Sequence, residues 1–205
     1  QKETGVVTYT LLGVHPAEIT VLSERMTPEK AAEIMMDGLS LAAGYVREGY
    51  AIGLKSGRPH YEVSEKLAVL SNQILNHAFT LAADETCSIQ VHAESGPCED
   101  MVEMAKNAGL NHRKVIKHFA TPKTPLSASL IAKHESIPDL CRQKRLFTME
   151  SDYMDENNRP GAVIGPKSVP RFTLRYLEQE LITLDDVHRI HEEAPEKFYG
   201  IQITL

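Results

Sequence analysis

Apolar and polar positions along this chain fall into two alternating periods. Short apolar runs enriched in β-branched residues, bounded by Gly, Pro or charged residues, read as buried strands over residues 6–14, 50–55, 87–91, 114–117, 128–131 and 146–149. Between them the spacing becomes helical. Thr27 caps a helix opened by Pro28, whose apolar face runs through Ala31, Ile34, Met35, Leu39, Ala42 and Ala43 before Gly49 stops it. Ser64 starts a second long helix with Leu67, Leu70, Ile74, Leu75, Ala78, Leu81 and Ala82 on one face. Pro97 opens a third, through Met101, Met104 and Ala105, that ends at Gly109, and a short one follows over 138–144. Two more, 170–180 and 184–198, complete the chain. Strands alternating with helices predict a parallel sheet with right-handed crossovers, an α/β fold in a single domain spanning residues 1–205.

Chemistry appears where these strands stop. His15, Lys55, His92 and His118 each sit at the end of a different strand, and Glu150 and Asp152 sit at the end of the last. In parallel α/β folds ligands bind at the carboxyl ends of the strands. Polar residues from so many strand ends meet at one point when the strands close into a ring, whereas an open sheet gathers them at a switch point. The expected architecture is therefore a TIM-type (β/α) barrel. A complete eightfold barrel takes about 250 residues, so this chain is expected to hold a barrel short of roughly two strands, missing at the amino terminus.

Composition narrows the classes of function. A formal net charge of −6 and a pI near 5.9 provide no basic footprint for wrapping duplex nucleic acid, although a small substrate or a nucleic-acid end held by metal needs none. The three cysteines, Cys87, Cys98 and Cys141, lack zinc-type spacing and fit reduced residues of a cytoplasmic protein. No apolar run approaches the ~20 residues that cross a bilayer.

Neutral imidazole with carboxylate is the ligand set of zinc, manganese and iron, and a hydrolytic site keeps one position open for water. His92, His118 and Asp152 are the candidate ligands in this register. A strand-end histidine also serves as an ordinary hydrogen-bonder, and a strand-end carboxylate as a cap. Asp152 suits either metal binding or acceptance of the proton of an attacking water, while Glu94, Glu150 and His15 are placed to orient ligands from behind. Arg58, Lys167 and Arg171 lie in loops and suit a phosphate, and His60 is a candidate substrate-binding residue. His188 and His191, on the last helix, read as surface or interhelix residues.

At these residues a resemblance becomes specific. Gly13-Val14-His15-Pro16, Val91-His92-Ala93-Glu94, Lys117-His118-Phe119 and Met149-Glu150-Ser151-Asp152-Tyr153 resemble successive strand ends of the TatD-type metal-dependent hydrolases. The segments Gly57-Arg58-Pro59-His60-Tyr61 and 159–167 resemble the archaeal TatD-related branch. The resemblance implies a TIM barrel of the amidohydrolase type, with one or two divalent ions (zinc, manganese or iron) held by His92, His118 and Asp152. The activity implied is hydrolysis by metal-activated water, by family habit on phosphodiesters; cyclic amides or esters are the alternative substrates. Two departures stand out: no His-x-His pair occurs in an amino-terminal strand, and Lys55 stands where the family has a metal-bridging Glu. A carbamylated Lys55 would restore an anionic bridge, and an unmodified Lys55 would bind a substrate anion. The missing pair also leaves open a metal-free binding or structural subunit. The expected partners are a small molecule or nucleic-acid end, and, because an incomplete barrel exposes two sheet edges, a second copy or an amino-terminal segment.

Overall fold

Helix caps and strand pairing both follow local chemistry in the computed structural model, which describes residues 3, 5–154 and 164–203. Six strands, β1 (Leu11–Gly13), β2 (Gly53–Gly57), β3 (Ser88–His92), β4 (Val115–Lys117), β5 (Ser127–Ile131) and β6 (Phe147–Glu150), form one sheet in the order β1-β2-β3-β4-β5-β6. Every neighbouring pair is parallel. Because each crossover returns to the adjacent position, the order never reverses and there is no switch point. This is the winding of a β/α barrel, and among the described residues the ladder runs from β1 to β6 without joining back.

The helices take the positions that the apolar faces require. Thr27 and Ser64 accept hydrogen bonds from the amides of Lys30 and Leu67, capping α2 (Pro28–Arg47) and α3 (Glu65–Asp84). These helices and α4 (Asp100–Asn107) bury Met35, Leu39, Ile74, Phe79 and Met101 against Leu54, Ile89, Val91 and Val115. Alternate strand residues point to the other face. There Ile116 packs on Ala194 and Phe198, and the Ser88 hydroxyl donates to the Phe198 carbonyl. The last helix therefore crosses the inner face of the sheet and floors it, leaving the carboxyl ends of the strands as the open side.

Several elements differ from the sequence pattern. The first strand is only Leu11–Gly13: residues 5–10 are exposed and pair with no strand among the described residues, and β propensity without a partner is not enough to order a ladder. Helix α1 (Glu18–Ser23) is too short to have registered as a periodicity. Helix α4 begins at Asp100 rather than near Pro97, since Cys98 has φ +54°, outside the right-handed helical region. Helices α5 (Ile137–Arg142) and α6 (Ser168–Glu178) fall within a residue or two of expectation. The helix expected over 184–198 is divided into α7 (Leu184–His188), a π turn (Arg189–Glu193) and α8 (Ala194–Tyr199). Pro195 has no N–H to donate at this point, and the Ala194 amide bonds the Arg189 carbonyl, the wider spacing of a π turn.

Candidate functional site

Four imidazoles meet at the open end of the sheet. His92 closes β3, His118 follows β4, His15 follows β1 and His60 lies beyond β2. His92 Nδ1 lies 2.7 Å from His118 Nε2, and His92 Nε2 lies 2.7 Å from His60 Nδ1. The His15 ring centroid is 4.8 Å from that of His92. The strand ends are brought this close partly by Gly57, which pairs with His92: a Cβ there would lie 1.8 Å from the His92 carbonyl oxygen.

Carboxylates fix the direction of this chain of rings. His118 Nδ1 faces Glu150 Oε1 at 3.4 Å and Asp152 Oδ1 at 3.7 Å. The Glu150 carboxylate is itself anchored, accepting from the Phe119 amide and the Ser129 hydroxyl, both at 2.6 Å. Acceptors on that side place the His118 proton on Nδ1, so Nε2 carries the lone pair and accepts from His92 Nδ1–H, and His92 Nε2 is left with a lone pair in turn. His15 runs the other way: its Nδ1 accepts from the Ala17 amide, which places its proton on Nε2 as a donor. Burial, together with the fields of His118, His15, His60 and Lys55, pushes His92 down to about 3, so its ring is neutral at ordinary pH.

The remaining candidates divide between the mouth and its surroundings. Lys55 lies in the middle of β2, not at its end, in one row with Gly13, Gln90 and Ile116. Its ammonium donates to Gln90 Oε1 at 3.1 Å, below the imidazoles, and burial pushes it down to about 8 against the pull of Glu150 and Asp152. Asp152, at φ +48°, turns back toward His118. Arg58 and Glu94, expected to hold substrate and to orient ligands, engage each other instead: the guanidinium makes a two-pronged pair with Glu94 and a second with Asp100. Lys167 is exposed and, with Arg171 and Arg175, lines a shallow cavity of about 390 Å³ at the start of α6. His191 bonds Thr173 and His188 pairs with Glu192. Of the segment 159–167, residues 159–163 lie outside the described residues.

Three participants were not foreseen: Gln90, Ser129 and Lys117. The first two are ordinary polar residues of inner-face register and carry no local signal. Lys117 does carry one, a charged residue inside an apolar strand.

The donor set fits a divalent cation. His118 has one nitrogen facing an anchored carboxylate at 3.4 Å and the other turned to His92, and a carboxylate behind the ring is the arrangement that prepares a histidine for a metal. His92 Nε2, Asp152 and His60 lie within one or two bonds of it. As they stand the rings pair with each other, and among the described residues no three His, Cys, Asp or Glu side chains are already gathered into a coordination shell.

A singly wound β/α sheet with imidazoles and carboxylates at its carboxyl mouth defines a class of protein. Within it, this chain belongs to the TatD-related DNase family, whose model matches residues 1–200. It is 38% identical over 215 residues to an uncharacterized protein of Methanocaldococcus jannaschii, covering 100% of this chain and 76% of that protein. Among solved structures it is similar to the organophosphorus hydrolase from Deinococcus radiodurans, with a TM-score of 0.61 at 12% identity, over 90% of this chain and 66% of that one. A triple mutant of the same hydrolase matches with a TM-score of 0.61 at 14% identity, over 89% of this chain and 66% of that one. These two likenesses show a shared fold, of which the chain spans a little under two thirds. No helix among the described residues is long and apolar enough to cross a membrane.

Proposed function

We propose that this chain is a metal-dependent hydrolase acting on phosphate esters, phosphodiesters first, with His92, His118 and Asp152 holding a divalent ion. The observation that carries this reading is the His118 ring, whose Nδ1 faces Glu150 at 3.4 Å and Asp152 at 3.7 Å while its Nε2 meets the neutral His92 at 2.7 Å. When bound, a zinc, manganese or iron ion would lower the pKa of its water and polarise the scissile bond. The protein's part is positional. Glu150, facing His118 Nδ1, would favour one tautomer of that ring, and Asp152 would accept a proton from a nucleophilic water. Lys167, Arg171 and Arg175 line a cavity of their own at the start of α6, where they would suit a phosphate. Lys55, with its lowered pKa, is suited to add carbon dioxide, forming a carbamate with loss of one proton, or to meet a substrate anion as the ammonium.

Metal content of protein purified without chelator tests the proposal, measured for the wild type, His118→Ala and Asp152→Ala. About one or two equivalents in the wild type and loss in both variants, accompanied by hydrolysis of a phosphodiester, is the expected result. Metal binding with hydrolysis only of cyclic amides or esters would move the substrate class. Failure to take up zinc, manganese or iron would favour the binding-subunit reading, to which the ring-to-ring pairing of the histidines already lends some weight.

A further inference from the structure

Lys117 is a cation where the fold has no evident use for one. It occupies the last position of β4, on the face opposite His118, paired in register with Val91 and Ala128. It is 1% exposed, among the largest fully buried side chains of the protein. Taking an ammonium out of water is costly unless it is paired and fully hydrogen-bonded; a Met or Leu would occupy a similar volume without that penalty. No carboxylate pairs with it at salt-bridge distance among the described residues. Its partners are backbone: Nζ donates to the Ala93 carbonyl at 3.2 Å and to the His118 carbonyl at 2.9 Å.

Those two carbonyls belong to the chain segments that carry the two central imidazoles. The β3–β4 ladder ends at Val91 and Lys117, followed by one further bond from the His118 amide to the Val91 carbonyl. Beyond it, β3 turns toward α4 and β4 enters the left-handed conformation of Phe119, φ +49°. The strands would separate there, yet His92 and His118 must stay at hydrogen-bond distance. One ammonium bonded to both carbonyls continues the registration past the last ladder bond. Arg58 completes the clamp from β2, its amide donating to the His92 carbonyl at 2.8 Å.

We propose that Lys117 is a positioning residue that sets the spacing of His92 and His118 from behind the sheet. The inference rests on the proposed metal site for its purpose, but its geometry is separable from that reading. Three variants test it: Lys117→Met, which keeps the stem and removes the donors, Lys117→Arg, which restores donors, and Ile89→Val, a packing change in the same buried layer. The first readout, on metal-free protein, is the side-chain nitrogen NMR spectrum of the histidines. Lys117→Met should shift the His92 and His118 ring nitrogens, Lys117→Arg should recover part of the shift, and Ile89→Val should leave them in place. Unchanged ring signals in Lys117→Met would overturn the proposal whether or not metal binds.

The second readout is zinc affinity by calorimetry. Lys117→Met should lose about 10- to 100-fold, the scale typical of groups that support metal ligands, while Ile89→Val should bind as the wild type does. Equal losses in the two variants would reduce Lys117 to packing and overturn the positioning role. A wild type that binds no zinc would sink the metal reading alone, leaving the NMR outcome to decide this one. Should Lys117→Met fail to fold, the wild-type ammonium resonance decides: protection from water exchange is expected, and rapid exchange would overturn the proposal.

Discussion

Two polar clusters lie side by side at the carboxyl end of this sheet, and they are built on opposite plans. Around Arg58, opposite charges meet: the guanidinium, with its side chain 16% exposed, engages Glu94 and Asp100, and its remaining donor reaches toward Asn72 at 3.3 Å. Beside it, His60, His92 and His118 meet as rings linked nitrogen to nitrogen, with the carboxylates of Glu150 and Asp152 at one end. The first cluster has spent its donors on fixed acceptors and contributes stability. The second centres on His92, whose ring burial and its neighbours hold neutral, and a neutral ring is the condition a metal ligand needs. Proximity to the mouth therefore does not by itself make a residue functional: what matters is whether its partners are fixed opposite charges or neutral rings that a cation could replace.

The largest effect expected from this contrast is on metal binding. His118→Ala should lower affinity by more than about 100-fold, whereas Arg58→Ala should leave it within a small factor, as measured by calorimetry with zinc. A large loss in Arg58→Ala would erase the distinction between the clusters. On stability the order should invert. Arg58→Ala should cost about 2 kcal/mol, because it strands two carboxylates that are only half exposed, and the shift in urea midpoint measures it.

Acid should separate the two clusters by pH. His92 sits near 3 in the fold against 6.5 ordinarily. Between those values the unfolded chain binds the extra proton, so this contribution is present above 6.5 and is lost as pH falls toward 3. Glu94 and Asp100 are held below their ordinary 4.5 and 3.8, chiefly by the Arg58 hydrogen bonds, against burial. Their contribution is likewise lost on acidification, but at lower pH. Urea midpoints of His92→Gln should flatten between pH 6.5 and 5, and those of Arg58→Ala only below about 4.5. The smallest effect should come from Glu150→Gln, which retains one acceptor for Phe119 or Ser129. About a tenfold loss of zinc affinity is expected, with the His118 ring-nitrogen shifts reporting any change of tautomer.

Much of this was written locally. Thr27 and Ser64 cap the two long helices because their hydroxyls reach the third amide onward, whatever the rest of the fold does. Alternation of strand and helix dictates a parallel sheet, and the positions of His92, His118 and Asp152 at strand ends place them at its mouth.

Partner choice was not local. Arg58 looks in the sequence like a loop cation open to phosphate, and only the arrival of Glu94 and Asp100 from another strand and helix commits it. Residues 5–10 have strand composition, but among the described residues they join no strand ladder, although the Thr10 carbonyl accepts from the Ile52 amide ahead of β2. Lys55 moved from the mouth to the row beneath because strand register, not composition, sets depth. Lys117 could be seen as an odd charge in an apolar run, but the two carbonyls that give it a role are supplied by the meeting of β3 and β4. The sequence by itself determined which elements form and which residues end them, since caps, period and backbone sterics act within a few residues. Tertiary structure alone decided which polar groups meet opposite charges and which meet neutral rings, because that depends on groups distant in the chain competing for the same hydrogen bonds.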